Sequence, residues 1–232
     1  MTAVRGALFD KDGTLFDFAA TWETWAASFL EGVTSDAQGA EDLGAIIGFD
    51  YAQRRFQPDS VVIAGTPGEV AEILLPHMQG HSMTSLLDFL NTEAERAPQV
   101  EAVPLIPFLS GLRQNGLRLG VATNDAEAPA RTHLARAGVT EFLDFIVGFD
   151  SGHGGKPAPG QLLAFAQAVD LPVEQIVMVG DSTHDLQAGR AAGMRCVGVL
   201  TGLAGRDVLT PLADAVFDDI SALPDWIAAQ DP

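Results

Sequence analysis

Phe9-Asp10-Lys11-Asp12-Gly13-Thr14-Leu15 continues an apolar run, Ala7-Leu8-Phe9, that reads as a buried strand ending at Asp10. Gly13 then allows a sharp turn where a side chain would crowd a ligand. A strand that delivers an Asp into the loop at its carboxyl end builds the ligand crevice of a parallel α/β sheet. Side chains alternate along an extended segment, so Asp10 and Asp12 can present their carboxylates to one small volume. Carboxylates held so close need a cation, a shared proton or different jobs. An Asp-rich turn after a strand is the bland alternative, since Asp and Gly are common turn formers. A calcium loop is excluded, because Leu15 stands where its Gly is required and Thr21 where its Glu is required.

Composition sets the outer bounds. The chain has 232 residues, enough for one large domain or a core plus an insert. Hydrophobic residues make up 47% and charged residues 19%, and no apolar run approaches the length of a membrane span. Met1-Thr2-Ala3-Val4-Arg5 lacks the apolar stretch of a secretory signal, so a cytoplasmic location is expected. The single cysteine, Cys196, excludes an internal disulfide framework and sits in an apolar run, as a core thiol would. The net charge of −18 argues against nucleic acid or an anionic membrane as partner, because both need basic surface. An anionic substrate is repelled at long range, so a phosphate site must be made positive locally. Lys11 and Lys156 are the only lysines in the sequence.

From Val103 onward helical and strand patterns alternate. Helices are expected over 104–115, 127–137, 161–169 and 183–192, and strands over 117–122, 145–147, 176–179, 196–200 and 215–217. Strands separated by helices of about 10–15 residues mean βαβ units and a mostly parallel sheet. Between Phe18 and about Gln99 the pattern changes to amphipathic helices, among them Thr21–Leu30 and Ser82–Thr92, with Val61-Val62-Ile63 as the only strand-like run. The expected architecture is therefore α/β, a Rossmann-like mostly parallel sheet core formed by residues 1–17 and 100–232, with an inserted, mainly helical domain over 18–99.

Three further sites fall at expected strand ends. Thr123 closes Gly120-Val121-Ala122 and precedes Asn124 and Asp125; its hydroxyl can donate to an oxyanion or cap the next helix. Lys156 lies in a glycine- and proline-rich loop, Gly152 to Pro159, which is not a nucleotide P-loop because Asp150 and Pro157 break that pattern. It is either a solvated lysine or an ammonium turned inward. Asp181 and Asp185 follow the run Ile176–Val179 in Gly180-Asp181-Ser182-Thr183-His184-Asp185, spaced to face one way across a first helical turn. The helix dipole explains each acid singly, but not four sites on the strand tips of one sheet. Asp10, Asp12, Asp181 and Asp185 against Lys156 carry a formal charge of −3, which one divalent cation reduces to −1. Only oxygen ligands are on offer, so a hard ion such as magnesium suits the set better than zinc.

These residues resemble the haloacid dehalogenase superfamily of phosphohydrolases. Its four motifs appear in order as Asp10-x-Asp12-Gly-Thr, Thr123, Lys156 and Gly-Asp181-x-x-x-Asp185, and the insert looks like the helical cap of that superfamily's first subclass. Gly180-Asp181-Ser182 followed by Gly189-Arg190-Ala191-Ala192-Gly193-Met194 is similar to the phosphoglycolate phosphatase-type branch. The resemblance implies a magnesium-dependent phosphatase acting on a small phosphorylated metabolite, as a monomer or homodimer. It makes Asp10 the nucleophile that forms an aspartyl-phosphate, and Asp12 the general acid and base. Thr123 and Lys156 would hold the transferring group, with Asn124 and Ser182 in support. Asp10, the main-chain carbonyl of Asp12, Asp181 and Asp185 would ligate or orient the metal.

A sugar phosphomutase of the same superfamily keeps the same core and remains open, as does a non-catalytic phosphate sensor. A phosphonatase is excluded, since it needs a cap lysine and residues 18–99 contain none. Arg54-Arg55 reads either as a greeting for a substrate anion or as solvated surface. His77 and His81 have zinc spacing but Met78 stands where a catalytic Glu would be, and Trp22 and Trp25 read as cap core.

Overall fold

A computed structural model describes residues 3–230; Met1 and Thr2 of the N-terminal stretch, and Asp231 and Pro232, lie outside the described residues. The chain begins with β1 (Gly6–Phe9), every residue of which is buried. It then runs through α1 (Phe18–Val33), α2 (Ala37–Ile46), the short strands β2 (Phe49–Asp50) and β3 (Arg55–Phe56), α3 (Val61–Ala64), α4 (Pro67–Leu74) and α5 (Met83–Arg96). Alternation follows: α6 (Leu105–Gln114), β4 (Arg118–Ala122), α7 (Glu127–Arg136), β5 (Phe145–Val147), α8 (Gly160–Ala168), β6 (Ile176–Gly180) and α9 (Thr183–Ala192). The chain closes with β7 (Arg195–Val199), α10 (Arg206–Leu209), β8 (Ala215–Phe217) and α11 (Leu223–Ala228).

Six strands form one parallel sheet in the order β5-β4-β1-β6-β7-β8. Chain order runs outward from β1 to β5 on one side, then restarts at β6 on the other. The strand order therefore reverses at β1, and the crevice outside its carboxyl end is the place for a ligand. Register aligns Phe9 with both Val121 and Val179, so the residues that follow these three strands converge on one edge.

Burial on both sheet faces explains the apolar strands. Ala7, Phe9, Val177 and Val179 pack with Leu105, Leu109 and Leu134 of α6 and α7. Leu8, Ile176 and Met178 point the other way, onto Phe165 of α8 and Ala188 of α9. Cys196 is fully buried, and burial pushes its thiol up to about 12, so it behaves as core rather than as a nucleophile. The helices from α1 to α5 gather around a separate apolar centre that includes Trp25, Phe29, Leu30, Phe49, Leu74 and Leu86. No helix among the described residues is long and apolar enough to cross a membrane.

Helix ends follow their capping chemistry. Asp17 accepts from Ala20 N at 2.8 Å to start α1, and Thr66 with Glu69 closes a capping box on α4, which has Pro67 in its first turn. Ser182 and Asp185 do the same for α9, which ends at Gly193 with φ of +80°.

One local expectation is corrected, and one open alternative is narrowed. Val61-Val62-Ile63 is not a strand but lies in α3, a single helical turn. Ser60 Oγ accepts from Val62 N and donates to Ile47 O at 2.5 Å, and Gly65 ends the turn; these caps override the β preference of three branched residues. The strands of the segment lie instead at β2 and β3, an antiparallel pair of two residues each that is too short to show periodicity. Arg54 sits at its tip with φ of 56°, pairs with Glu31 at 2.7 Å and packs over the Tyr51 ring. Arg54 and Arg55 are exposed and away from the sheet's ligand edge, so they do not greet a substrate there.

Candidate active site

Asp10 leaves the tip of β1 with its N–H bonded to Val179 O at 2.9 Å, which fixes the residue against β6. Asp181 leaves the tip of β6. Gly13 follows at φ of +81°, and a Cβ there would sit 2.4 Å from Asp181 Oδ2. Gly202 approaches from the other side, where an added Cβ would lie 1.7 Å from the same oxygen. Only glycine fits either position, so Asp181 is held in a cradle of backbone, with Thr14 Oγ1 donating to Oδ1 at 3.3 Å.

Lys156 is turned inward. Its Nζ donates to Asp10 Oδ1 at 2.7 Å and Asp185 Oδ1 at 2.6 Å, and its side chain is 3% exposed. Asn124 explains the loop: its Oδ1 accepts from Lys156 N at 2.7 Å while Nδ2 donates to Lys156 O at 2.8 Å and Ala64 O at 2.9 Å. The Asn124 side chain is thus committed to backbone, and it fastens the lysine loop and the end of α3 to the sheet. Ser182 Oγ and N both donate to Asp185 Oδ2, so both oxygens of Asp185 are held. Thr123 Oγ1 accepts from Asp125 N at 3.0 Å, which leaves its hydroxyl hydrogen to donate outward. Ala126 takes the N-cap place of α7 without a side-chain bond, so Thr123 is not the cap.

Sequence reasoning missed a second buried cation. Lys11 is fully buried, with Nζ at 2.5 Å from Asp12 Oδ2, 3.5 Å from Asp125 Oδ2 and 3.1 Å from His133 Nδ1. An ammonium can only donate, so His133 Nδ1 accepts and Nε2–H donates to Ala94 O in α5. Only the scarcity of lysine signalled Lys11; Asp125 and His133 carry no sequence mark. Asp125 and Lys11 cancel, so the site's formal charge stays where four acids and Lys156 put it.

Asp10, Asp181 and Asp185 offer carboxylate oxygens that lie within 4.8 Å of one another, the group among the described residues able to hold a metal ion. Burial, opposed by Lys156 and reinforced by Asp185, pushes the Asp10 carboxyl up to about 7. Burial and then the Asp185 and Asp10 charges drive Asp181 well above the ordinary carboxylate range. Surplus negative charge on oxygen donors, in a cradle no side chain can fill, fits a hard divalent cation. The Asp12 carboxylate stands outside this group; Oδ2 is bound to Lys11 and Oδ1 has no partner among the described residues.

Above these residues a cavity of about 70 Å³ runs between the strand tips and the helical segment. Asp10, Asp12, Thr123, Asn124, Lys156, Asp181 and Asp185 form its floor, and Trp22, Val62, Ile63 and Leu90 stand among its other walls.

The model for haloacid dehalogenase-like hydrolases matches residues 4–193 of this sequence, a span that takes in every residue of the floor. The chain belongs to the haloacid dehalogenase-like hydrolases. The resemblance read from the four motifs is borne out, as is the α/β fold. This hydrolase is 39% identical to a plasmid-borne phosphoglycolate phosphatase of Cupriavidus necator, over 94% of this chain and 90% of that one. A phosphoglycolate phosphatase of Rhodospirillum rubrum is 36% identical, over 55% of this chain and 53% of its own length. CbbY of Rhodobacter sphaeroides, solved in complex with phosphate, shares the fold with a TM-score of 0.71 at 20% identity, covering 95% and 96% of the two chains. A candidate β-phosphoglucomutase of Thermotoga maritima shares it at 0.69 and 19%, covering 98% and 100%.

Proposed function

We propose that this hydrolase is a magnesium-dependent phosphatase that cleaves a small phosphate monoester through an aspartyl-phosphate on Asp10. One observation carries the reading: Lys156 Nζ bridges Asp10 and Asp185 on the floor of a strand-tip crevice that also holds Asp181. Asp10 is the carboxylate best placed to attack, since it stands at the tip of β1 on the cavity floor, with Lys156 at one oxygen opposing the effect of burial. Its oxygen bonds to phosphorus as the bond to the leaving oxygen breaks. Asp12 gives its proton to that oxygen; its unpartnered Oδ1 is free for the transfer, while Lys11 anchors Oδ2. In the second step Asp12 takes a proton from water, the water oxygen bonds to phosphorus, and Asp10 is released with inorganic phosphate. Thr123 Oγ–H, the N–H of Asn124 and Lys156 would hold the equatorial oxygens, where charge is spread.

Asp10, the Asp12 carbonyl, Asp181 and Asp185 would hold the magnesium ion, which supplies the positive charge that lets carboxylate and phosphate approach. Asn124 is better read as the clamp for Lys156 than as a side-chain ligand of phosphate. Residues 18–99 act in this reading as a cap over the crevice, with 1–17 and 100–232 as the catalytic core. The relatives' names make phosphoglycolate the reference substrate.

Phosphate release from a monoester panel, with and without magnesium and with Asp10→Asn as blank, tests the reading. Metal-dependent release that disappears in the variant is expected. Interconversion of sugar phosphate isomers without net phosphate release would replace the phosphatase with a mutase.

A further inference from the structure

The cavity above the phosphate site has the wrong chemistry for a second anionic group. Among its lining residues Lys156 is the sole Lys or Arg, and that ammonium is already engaged by Asp10 and Asp185. Five acids line the floor, Asp125 among them. The other place where a carboxylate finds partners is a helix N-terminus, and α4 opens onto this cavity at Gly65-Thr66-Pro67. That end is closed. Pro67 has no N–H, Thr66 Oγ1 accepts from Glu69 N, and the Glu69 carboxylate accepts from Thr66 N at 2.7 Å, so negative charge already occupies it. A glycolate carboxylate buried here would find no Lys or Arg beyond the engaged Lys156 and no free helix end, with the His184 ring as the one other cationic group on the lining.

The walls contributed by the helical segment are apolar instead: Phe18, Trp22, Trp25, Val62, Ile63 and Leu90. Trp25 and Trp22 meet edge to face at 5.4 Å, and Trp25 stacks on Phe29 at the same distance, which fixes the ring position. Two polar atoms on these walls are buried without a partner, Trp25 Nε1 and Asn91 Oδ1. Buried polar atoms ordinarily find partners. Here a donor and an acceptor are buried within walls that are otherwise mostly hydrocarbon.

We infer that the leaving group accepted by this enzyme is uncharged and mainly apolar, with at most a neutral hydrogen-bonding function, and that the site discriminates against phosphoglycolate. The inference rests on the phosphatase reading.

The test compares phosphoglycolate, ethyl phosphate and 2-phenylethyl phosphate, all alkyl esters, with saturating magnesium. We expect kcat/KM for 2-phenylethyl phosphate to exceed that for phosphoglycolate by at least about tenfold, with ethyl phosphate between them. The double variant Val62→Ala/Ile63→Ala, on partly exposed positions, should lose several-fold on the phenylethyl ester and little on ethyl phosphate. Tryptophan fluorescence of Asp10→Asn supplies a readout without turnover: saturable quenching by 2-phenylethyl phosphate, and none by phosphoglycolate at equal concentration. Phosphoglycolate as the fastest ester, or equal quenching by both, overturns the inference and leaves the phosphatase standing. An equal loss on both alkyl esters in the double variant also overturns it. No release from any ester removes the phosphatase reading and the inference together.

Discussion

Asp181 and Gly13 have to be considered as one unit. The carboxylate is placed by the absence of side chains around it, at Gly13 and Gly202, as much as by any bond it makes. Gly13→Ala adds a Cβ at a left-handed φ and 2.4 Å from Asp181 Oδ2, so the acid or the loop must move. A displacement of about 1 Å at a catalytic centre costs on the order of a hundredfold. Steady-state kinetics of Gly13→Ala should show that loss in kcat, with a circular dichroism spectrum like the parent's; full activity would mean the cradle does not position Asp181. Lys11 makes the opposite case, in which a charge is needed to hold other charges. It is fully buried, and burial alone would favour its neutral form, but Asp12 and Asp125 overcome this and raise its pKa. Lys11→Met strands two acids in low dielectric, and breaking a buried pair in this way costs about 3–5 kcal/mol. Urea unfolding of the metal-free protein should register that drop. A loss below about 1 kcal/mol would show that the acids simply take up protons.

At the level of elements, α7 ties the sheet to the helical segment. His133 Nε2–H reaches Ala94 O at 2.9 Å, and Arg136 donates to Glu95 O, so the end of α5 is docked on α7. Burial, with the Lys11 charge adding to it, holds the His133 imidazole down at about 4, below its ordinary value near 6.5. The unfolded chain therefore binds a proton between those values that the folded chain refuses. Stability from this residue is complete above pH 6.5 and falls as pH drops toward 4. Relative to His133→Gln, the parent should lose about 2 kcal/mol of unfolding free energy between pH 7 and pH 5. Parallel stability curves for the two proteins would show that His133 does not titrate in this range. This linkage also marks the limit of what sequence could tell. β1, β5 and α9 were legible because burial on both faces and capping residues write themselves into a few adjacent positions. Asp10, Thr123 and Asp181 were legible because each stands at a strand end, and Lys156 because it is one of two lysines and lies in a glycine- and proline-rich loop. Val61–Ile63 misled because Ser60 and Gly65 outweighed branched side chains. Lys11 and His133 were hidden because their meaning is a contact across 122 positions of chain.

Over the whole molecule the charge of −18 sets a field that opposes the substrate the site is built to receive. Lys156 acts only at contact distance and is engaged by acids of the cavity floor, as the proposed magnesium ion would be. A phosphate dianion must therefore approach through negative potential until it reaches the floor. Salt shortens that reach, from about 30 Å at 0.01 M to about 8 Å at 0.15 M. Steered enzymes lose kcat/KM as salt is added; this one should gain. With magnesium held saturating throughout, because the same field concentrates the cation and would mask the effect, kcat/KM for a dianionic ester should rise about threefold to tenfold across that range. The gain belongs to KM, since encounter and not chemistry is screened, and kcat should stay level. Charge-neutralising a few acids far from the cavity, such as Glu31, Asp36 and Asp42, should reproduce part of the gain at low salt, because a field effect does not depend on which acids supply it. A fall in kcat/KM with salt would mean that the local cations at Lys156 and the metal dominate the approach.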